Sequence, residues 1–201
     1  MKVVLAAALL VGATTFAMAV GEKITVKYDL GAENPKWKFV AGQWVRRASG
    51  GRQVLAQTVE TQPWAVAVLE DQKFSDLDVS VRFRPISGKE DASGGIIFRV
   101  RDGRNYFLVR ANALENNFRL YTIVNGKRST IASARVDEPK LGTWHTIRVV
   151  ATGPRVQAYL DNASLLDHHD KTFTEGWVGL WTKADSVTEF ADLEISGTLV
   201  Q

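Results

Sequence analysis

The sequence has no cysteine among its 201 residues. This absence excludes disulfides, thiolate metal sites, a cysteine nucleophile and a lipid-modified cysteine at a processing site. The fold therefore has to be held together by its core. The composition supports such a core, because 45% of the residues are hydrophobic and six are tryptophan, as is typical of a globular domain.

Long hydrophobic runs are also lacking. The apolar stretch at residues 3–11 is too short to span a bilayer, and no later segment approaches the roughly 20 residues that spanning needs. It follows Lys2 and precedes Ala17, Met18 and Ala19, the small-x-small pattern that signal peptidases accept. The sequence predicts a signal peptide over residues 1–19, export to the periplasm or beyond the cell, and no membrane span after signal removal. A retained N-terminal anchor is the alternative.

Neither sign of charge is in large excess, since the formal net charge is only +3. The basic residues are scattered singly through alternating segments, without a run that would contact a phosphate backbone. Nucleic acid is therefore not a predicted partner.

Helical periodicity is absent, and short segments with a period of two take its place from residue 24 onward. Turn pairs such as Asp102-Gly103, Asn125-Gly126 and Asp161-Asn162 separate many of these segments and favour hairpins. The pattern predicts an all-β, two-sheet antiparallel sandwich that forms one domain over residues 20–201. The predicted strands cover residues 43–46, 53–57, 65–69, 77–84, 96–101, 106–111, 118–124, 127–132, 144–150, 155–160, 177–182 and 188–195.

Several separated motifs follow one another in a familiar order. They are Ser93-Gly94-Gly95-Ile96-Ile97-Phe98-Arg99, the segments 102–106 and 110–117, Leu120-Tyr121, the segment 125–128, the segment 144–149 and the segment 178–187. With these motifs the sequence resembles the 3-keto-disaccharide hydrolase-like domains over about residues 64–195. The resemblance implies a concanavalin A-like, laminin G-like jelly roll. It leaves function open, because this fold carries lectins, glucanases and interaction modules alike.

Strand alternation predicts a polar and aromatic sheet face. Aromatic rings stack on the apolar faces of sugars, while guanidinium, amide and amine groups hydrogen-bond hydroxyls. A glycan or small saccharide is therefore the predicted partner, and a merely solvated outer face is the alternative. The predicted ligand-binding residues are Arg99, Tyr106, Arg110, Asn112, Asn116, Arg119, Tyr121, Trp181 and Lys183, with Arg101 and Trp177 on the same predicted face.

Candidate catalytic groups are few. Glu115 and Asp185 lie in predicted loops, and His145 begins a predicted strand, where a structural histidine bonded to a backbone carbonyl is the alternative. A nucleophile motif of the G-x-S-x-G type is absent. The acids Glu189, Asp192 and Glu194 do not share one strand face, so they cannot form the converging carboxylates of a glucanase. The catalytic residues, if the chain is an enzyme, stay open.

One segment, residues 167–170, reads Asp-His-His-Asp and groups metal-ligand types. Neighbouring side chains on a strand point apart, so the segment is interpreted as a loop of solvated charges. Calcium needs several converging oxygens, whereas Asp102, Asp161 and Asn162 are explained as turn residues. The prediction is no metal and no cofactor, with calcium left as an open alternative.

Three functional hypotheses follow. The first is an exported carbohydrate-binding sandwich that recognises an oligosaccharide or polysaccharide. The alternative is a hydrolase of glycosides or 3-keto-disaccharides, as the resemblance implies. The third is an envelope interaction module whose protein partner the sequence does not identify.

Overall fold

The computed structural model describes residues 21–33 and 36–200, so the predicted signal peptide lies outside the described residues. Within this part no helix is long and apolar enough to cross a membrane. Fourteen strands are found there. They are β1 Lys23–Tyr28, β2 Trp37–Ala41, β3 Trp44–Ser49, β4 Arg52–Gln57, β5 Thr61–Ser87, β6 Ser93–Asp102, β7 Asn105–Asn112, β8 Glu115–Val124, β9 Lys127–Arg135, β10 His145–Thr152, β11 Arg155–Leu160, β12 Ala163–His169, β13 Gly176–Ala184 and β14 Val187–Leu199.

Strand β5 is 27 residues long and belongs to two sheets. Its first part pairs with β2 and β13, and its second part pairs with β10 and β14. The first sheet has the order β2-β5-β13-β6-β7-β8-β9, and the second the order β12-β11-β10-β5-β14. Strands β1 and β4 pair with β14, and β3 pairs with β4. All of these pairings are antiparallel, which confirms the predicted all-β architecture.

The main core fills the space between the two sheets. Alternation sends Val81 and Phe83 of β5 inward against Phe98 of β6 and Phe107 of β7, and all four are fully buried. The rings of Phe98 and Phe107 stack with their centroids 5.2 Å apart. Burying one such side chain contributes about 1.5–3 kcal/mol, so this layer holds the sheets together without covalent links.

A second, smaller cluster lies on the opposite face of the first sheet. It arises because the residues that alternate with the core, such as Ile97 beside Phe98 and Leu108 beside Phe107, are also apolar. Its buried members are Val66, Val68, Ile97, Val100, Tyr106, Leu108, Tyr121, Ile123 and Trp181, with Trp64 and Trp177 packed against them.

The strands differ from the prediction in four places. Strands β1, β2 and β12 were not predicted, and the predicted strands 65–69 and 77–84 are parts of the continuous β5. The interpretation of residues 167–170 as a loop is wrong for its first three residues, which belong to the edge strand β12. There Asp167 pairs with Arg155 of β11 at 2.9 Å. Edge strands tolerate such charged residues, which obscures their alternation.

The hairpin turns hold the register of neighbouring strands. Asn125 and Gly126 have φ values of 52° and 81°, as a two-residue type I′ turn requires, and Val124 pairs with Lys127. The Asp102-Gly103 turn works differently, because neither residue has a positive φ. Instead the Asp102 carboxylate accepts the backbone N–H of Arg104 at 2.7 Å, which is a side-chain-closed turn.

Candidate functional site

The outer face of the first sheet, called the site face below, gathers large polar and aromatic side chains from five strands. Alternation puts Tyr106 and Arg110 on the same side of β7, and register places Tyr121 of β8 opposite Leu108. On β13, Trp181 and Lys183 pair with Val66 and Trp64 of β5. The side chains that define the site face are Trp64, Tyr106, Arg110, Tyr121, Arg128, Trp181 and Lys183.

The floor of the site face is aromatic. The rings of Trp64 and Trp181 lie 6.1 Å apart and are tilted by 37°. Trp181 and Tyr106 are completely buried, whereas Trp64 is partly exposed. The sequence predicted Trp181 as an exposed stacking platform, and its burial means that Trp64 supplies the accessible indole.

A guanidinium covers this floor. The Cζ atom of Arg128 lies 4.8 Å from the ring centroid of Tyr121, 5.6 Å from that of Trp64 and 6.0 Å from that of Trp181. These are cation–π distances. Arg128 is partly exposed, so its side chain separates the buried rings from solvent.

A polar network borders the floor along β7 and β8. Arg110 donates from Nη2 to the Glu115 carboxylate at 3.1 Å and to the Tyr121 hydroxyl at 3.2 Å. Asn117 donates to the same Glu115 oxygen at 2.7 Å. Burial alone would raise the pKa of Glu115, but the hydrogen bonds from Asn117 and Arg110 and the charges of Arg110 and Arg119 outweigh it and lower that pKa. Glu115 is therefore held as a carboxylate.

Asn112 links this network to a second carboxylate. Its Nδ2 donates to Asp91 at 2.5 Å and contacts Glu115 at 3.2 Å. Asp91 is completely buried and also accepts from the Lys183 ammonium. Both carboxylates are thus saturated by donors of the chain itself.

Several donors of the site face, in contrast, have no hydrogen-bond partner within the part of the chain that the structure describes. They are Arg110 Nε, Trp181 Nε1, the Tyr106 hydroxyl and Arg128 Nη1, all of them buried atoms. Burial raises the pKa of Tyr106. This effect is partly offset by the indole N–H groups of Trp181 and Trp64, which lie near the hydroxyl without the geometry of a full hydrogen bond, and by the charge of Arg128. A buried donor without an acceptor costs about 1–3 kcal/mol, so a ligand that supplies acceptors would bind favourably here.

Asp185 lies at the margin of this network but has a structural task. Its carboxylate accepts the backbone N–H groups of Lys89 at 2.5 Å, Glu90 at 3.1 Å and Asp91 at 3.0 Å. Burial would raise the pKa of Asp185, but these backbone donors outweigh it and lower the pKa. Asp185 therefore holds the loop of residues 89–91 in the position at which Asp91 contacts Lys183.

Arg99 does not join the site face. It has a φ of 48° within β6, which interrupts the alternation on which its prediction rested. Its buried guanidinium donates instead to the backbone oxygens of Ser75 at 3.2 Å and Phe173 at 3.1 Å. Arg101 lies over the ring of Phe173 and Trp177 lies under Lys73, so neither contacts the network.

The remaining candidates have separate positions. Arg119 lies beside the network, 3.9 Å from Glu115, and Asn116 is exposed with its backbone oxygen bonded to the N–H of Val136. His145 belongs to the second sheet, where its Nδ1 lies 2.7 Å from Asp161 and its Nε2 lies 3.4 Å from the Lys140 carbonyl. The structure brings His145 together with neither Glu115 nor Asp185.

Metal-ligand types are dispersed in residues 21–33 and 36–200, where no group of three or more His, Asp or Glu side chains could hold a metal ion. On the second sheet Glu189 is engaged by Arg84 and by Arg47, the latter at 2.8 Å. Asp192 is engaged by Arg52 at 2.6 Å.

Four residues of the site were missed from sequence. Trp64 directly precedes the alternating segment 65–69, and its parity matches that of Val66 and Val68, which was a usable signal. Arg128 was also within reach, because a two-residue turn at Asn125-Gly126 pairs it with Ile123. Asn117 has the parity of Arg119 and Tyr121 in β8, which was also a usable signal. Asp91 gave no signal, since its role depends on loop geometry.

Comparisons with known proteins agree with this architecture. The chain matches the 3-keto-alpha-glucoside-1,2-lyase-like domain over residues 29–196. The carbohydrate-binding module CBM66 of Bacillus subtilis superposes with a TM-score of 0.69 at 22% identity, covering 79% of this chain and 94% of that one. The beta-glucanase of Bacillus licheniformis superposes with a TM-score of 0.59 at 9% identity, covering 87% and 98%. These likenesses confirm the concanavalin A-like sandwich.

A levanase of Bacillus subtilis (strain 168) is 30% identical over 94 residues. The match covers 46% of this chain but only 14% of the levanase. The chain therefore corresponds to a small part of that larger protein.

Proposed function

Because the chain belongs to the family of 3-keto-alpha-glucoside-1,2-lyase-like domains, we propose that it binds a carbohydrate on the site face. The observation that carries the proposal is the set of buried donors around an aromatic floor that no acceptor in residues 21–33 and 36–200 satisfies. Sugar hydroxyl and ring oxygens would supply those acceptors. The likeness to a carbohydrate-binding module and to part of a levanase supports the same proposal.

The accessible groups divide the work of recognition. Trp64 offers a ring face for the C–H surface of a sugar, as partly exposed indoles do in sugar sites. Glu115, Asn117 and Lys183 surround the floor with polar atoms that fix the orientation of a bound ring. The paired carboxylates keep these groups in place before the ligand arrives.

The test is saturation-transfer NMR with a panel of soluble glycans, followed by affinity measurements on the best binder. Trp64→Ala should weaken binding about tenfold, because the stacking surface is lost. Trp144→Ala is the matched control, since Trp144 is a partly exposed indole flanked by arginines on the second sheet. Equal affinity in wild type and Trp64→Ala would count against the site face.

An enzyme is the second candidate, favoured by the two carboxylates that share the amide of Asn112. Glu115 is held ionised, which suits a base and not a general acid. Following the anomeric NMR signals of glycosides and 3-keto-glycosides over a day would reveal turnover. Glu115→Gln should then lower the rate while binding persists, and unchanged signals throughout would leave a binding domain alone.

Export is part of the same proposal. A carbohydrate outside the cytoplasm requires a protein that reaches it, and residues 1–19 have the pattern of a cleaved signal. The intact mass of the secreted chain should lack those residues.

A further inference from the structure

The site face has an uneven balance of hydrogen-bonding groups. Its two carboxylates, Asp91 and Glu115, are already bonded to donors of the chain. The atoms without partners include nitrogens of two guanidinium groups, Arg110 Nε and Arg128 Nη1, together with the indole N–H of Trp181 and the Tyr106 hydroxyl. A ligand that satisfies these atoms would therefore have to supply hydrogen-bond acceptors next to positively charged groups.

The charge balance has the same sign. Four cations, Arg110, Arg119, Arg128 and Lys183, face two carboxylates in this network, which leaves a difference of two positive charges. Three of the cations lie against those carboxylates. Among the described residues Arg128 has only the rings of Tyr121, Trp64 and Trp181 as partners, so it is the cation available to a ligand.

We propose that the site face selects an acidic saccharide, one whose ring carries a carboxylate, and that Arg128 is its specificity-determining residue. The inference rests on the proposed function, because it names the class of sugar for the same face. The Arg128 guanidinium lies on the aromatic floor. On binding it turns from the rings to pair with the carboxylate, and the sugar takes its place over Trp64 and Trp181.

The chemistry of arginine fits this exchange. A guanidinium binds a carboxylate through two parallel N–H donors, which a neutral hydroxymethyl group cannot match. Arg128 follows the tight Asn125-Gly126 turn, and its neighbours Lys127 and Ser129 are exposed. Its long side chain can therefore move without disturbing the core between the sheets.

Matched ligands test the inference. Oligosaccharides of glucuronate, galacturonate and mannuronate are titrated calorimetrically against their carboxyl-reduced neutral counterparts, at low and at moderate salt. Wild type should bind at least one acid form about tenfold more tightly than its reduced form, the gain of one charge-assisted hydrogen bond. Salt should reduce this advantage, since it screens exposed charges.

Variants locate the preference. Arg128→Gln should bring the acid-over-neutral affinity ratio close to one, and Arg128→Lys should keep part of the ratio because charge remains without the planar fork. Arg155→Gln removes the same charge from an exposed pair on the second sheet and should leave the ratio intact. Thermal unfolding checks that each variant is folded.

Failure of the acidic-sugar inference and failure of the proposed function would give different binding results. Equal affinity for acid and reduced sugars, or a preference that survives in Arg128→Gln, overturns the acidic-sugar inference and leaves the saccharide site standing. Absence of binding for both members of every pair overturns the acidic-sugar inference, and the proposed function falls with it only if the wider panel of soluble glycans gives no saturation transfer either.

Discussion

Trp181 and Trp64 are neighbouring indoles with different exposure, so replacing each should affect a different property. Trp181 is completely buried within the cluster beneath the site face. Trp181→Ala should lower the free energy of unfolding by about 3–5 kcal/mol, the usual cost of deleting a buried aromatic. Urea unfolding followed by fluorescence measures this value.

Trp177→Ala provides the comparison for that prediction. Trp177 packs against the same cluster but is partly exposed beneath Lys73, 4.4 Å from its ring. Trp177→Ala should lower the free energy of unfolding by less than half as much as Trp181→Ala. A similar decrease in the free energy of unfolding for both variants would contradict the prediction that Trp181 contributes more because it is more buried.

Glu189 makes the stability depend on pH. It is buried between Arg84 and Arg47. Burial would raise its pKa, but the hydrogen bonds from these arginines outweigh it and lower the pKa below the usual value of 4.5. A carboxyl with a depressed folded-state pKa contributes stability above its unfolded pKa, and this contribution is lost as pH falls through the folded-state pKa.

The free energy of unfolding should therefore decrease as the pH is lowered below about 4.5. Glu189→Gln should be less stable than wild type by about 3 kcal/mol at pH 7, because two arginines lose their counter-charge. The variant should also show a shallower decrease at acid pH. Glu115 shifts in the same direction, so part of the decrease should persist. Parallel curves for wild type and variant would contradict the assignment to Glu189.

At the scale of elements, Asp185 joins the turn after β13 to the loop before β6. Asp185→Ala removes the acceptor of three backbone N–H groups, those of Lys89, Glu90 and Asp91. We expect amide hydrogen exchange at these three positions to accelerate about tenfold or more, because each lost hydrogen bond is worth about 1 kcal/mol.

Asp170→Ala is the control for the loop prediction. Asp170 accepts a single backbone N–H, that of Thr172, at 2.7 Å. Its replacement should leave exchange at residues 89–91 unchanged. If Asp185→Ala also leaves it unchanged, the loop is held by other contacts.

Elements were predictable where local signals were strong. The Asn125-Gly126 and Asp161-Asn162 pairs marked hairpins correctly, because both residues of each pair adopt positive φ. The edge strand β12 was missed because its charged residues pair across strands and hide the alternation. The continuity of β5 was missed because residues 70–73 are polar and resemble a turn.

The position of site residues was predictable only as far as alternation continued without interruption. Tyr106, Arg110, Tyr121, Trp181 and Lys183 share a face because their strands keep a regular period of two. A single residue in positive φ removed Arg99 from that face. Alternation predicts the sheet face on which a side chain lies but not how deeply it is buried. The burial of Trp181 could therefore be seen only in the structure.

At the scale of the whole molecule, the two outer faces treat their charges differently. On the second sheet Arg84, Arg52 and Arg82 surround Trp144 and pair with Glu189 and Asp192. On the site face the acids are satisfied while several donors are not. Sequence could not distinguish the two faces, because the hydrogen-bond partners of these side chains depend on the three-dimensional arrangement of the strands.

The length of β5 limits how this protein can be divided. Its first part pairs with β2 and β13 in one sheet, and its second part pairs with β10 and β14 in the other. Residues 70–73 join the two parts without a turn. A chain cut at this joint would yield two fragments, which separate the first part of β5 from its partner β13, and β4 from its partner β14. Such fragments should stay unfolded when separate and regain structure only on mixing, which makes the joint a natural place for a split reporter of reassembly.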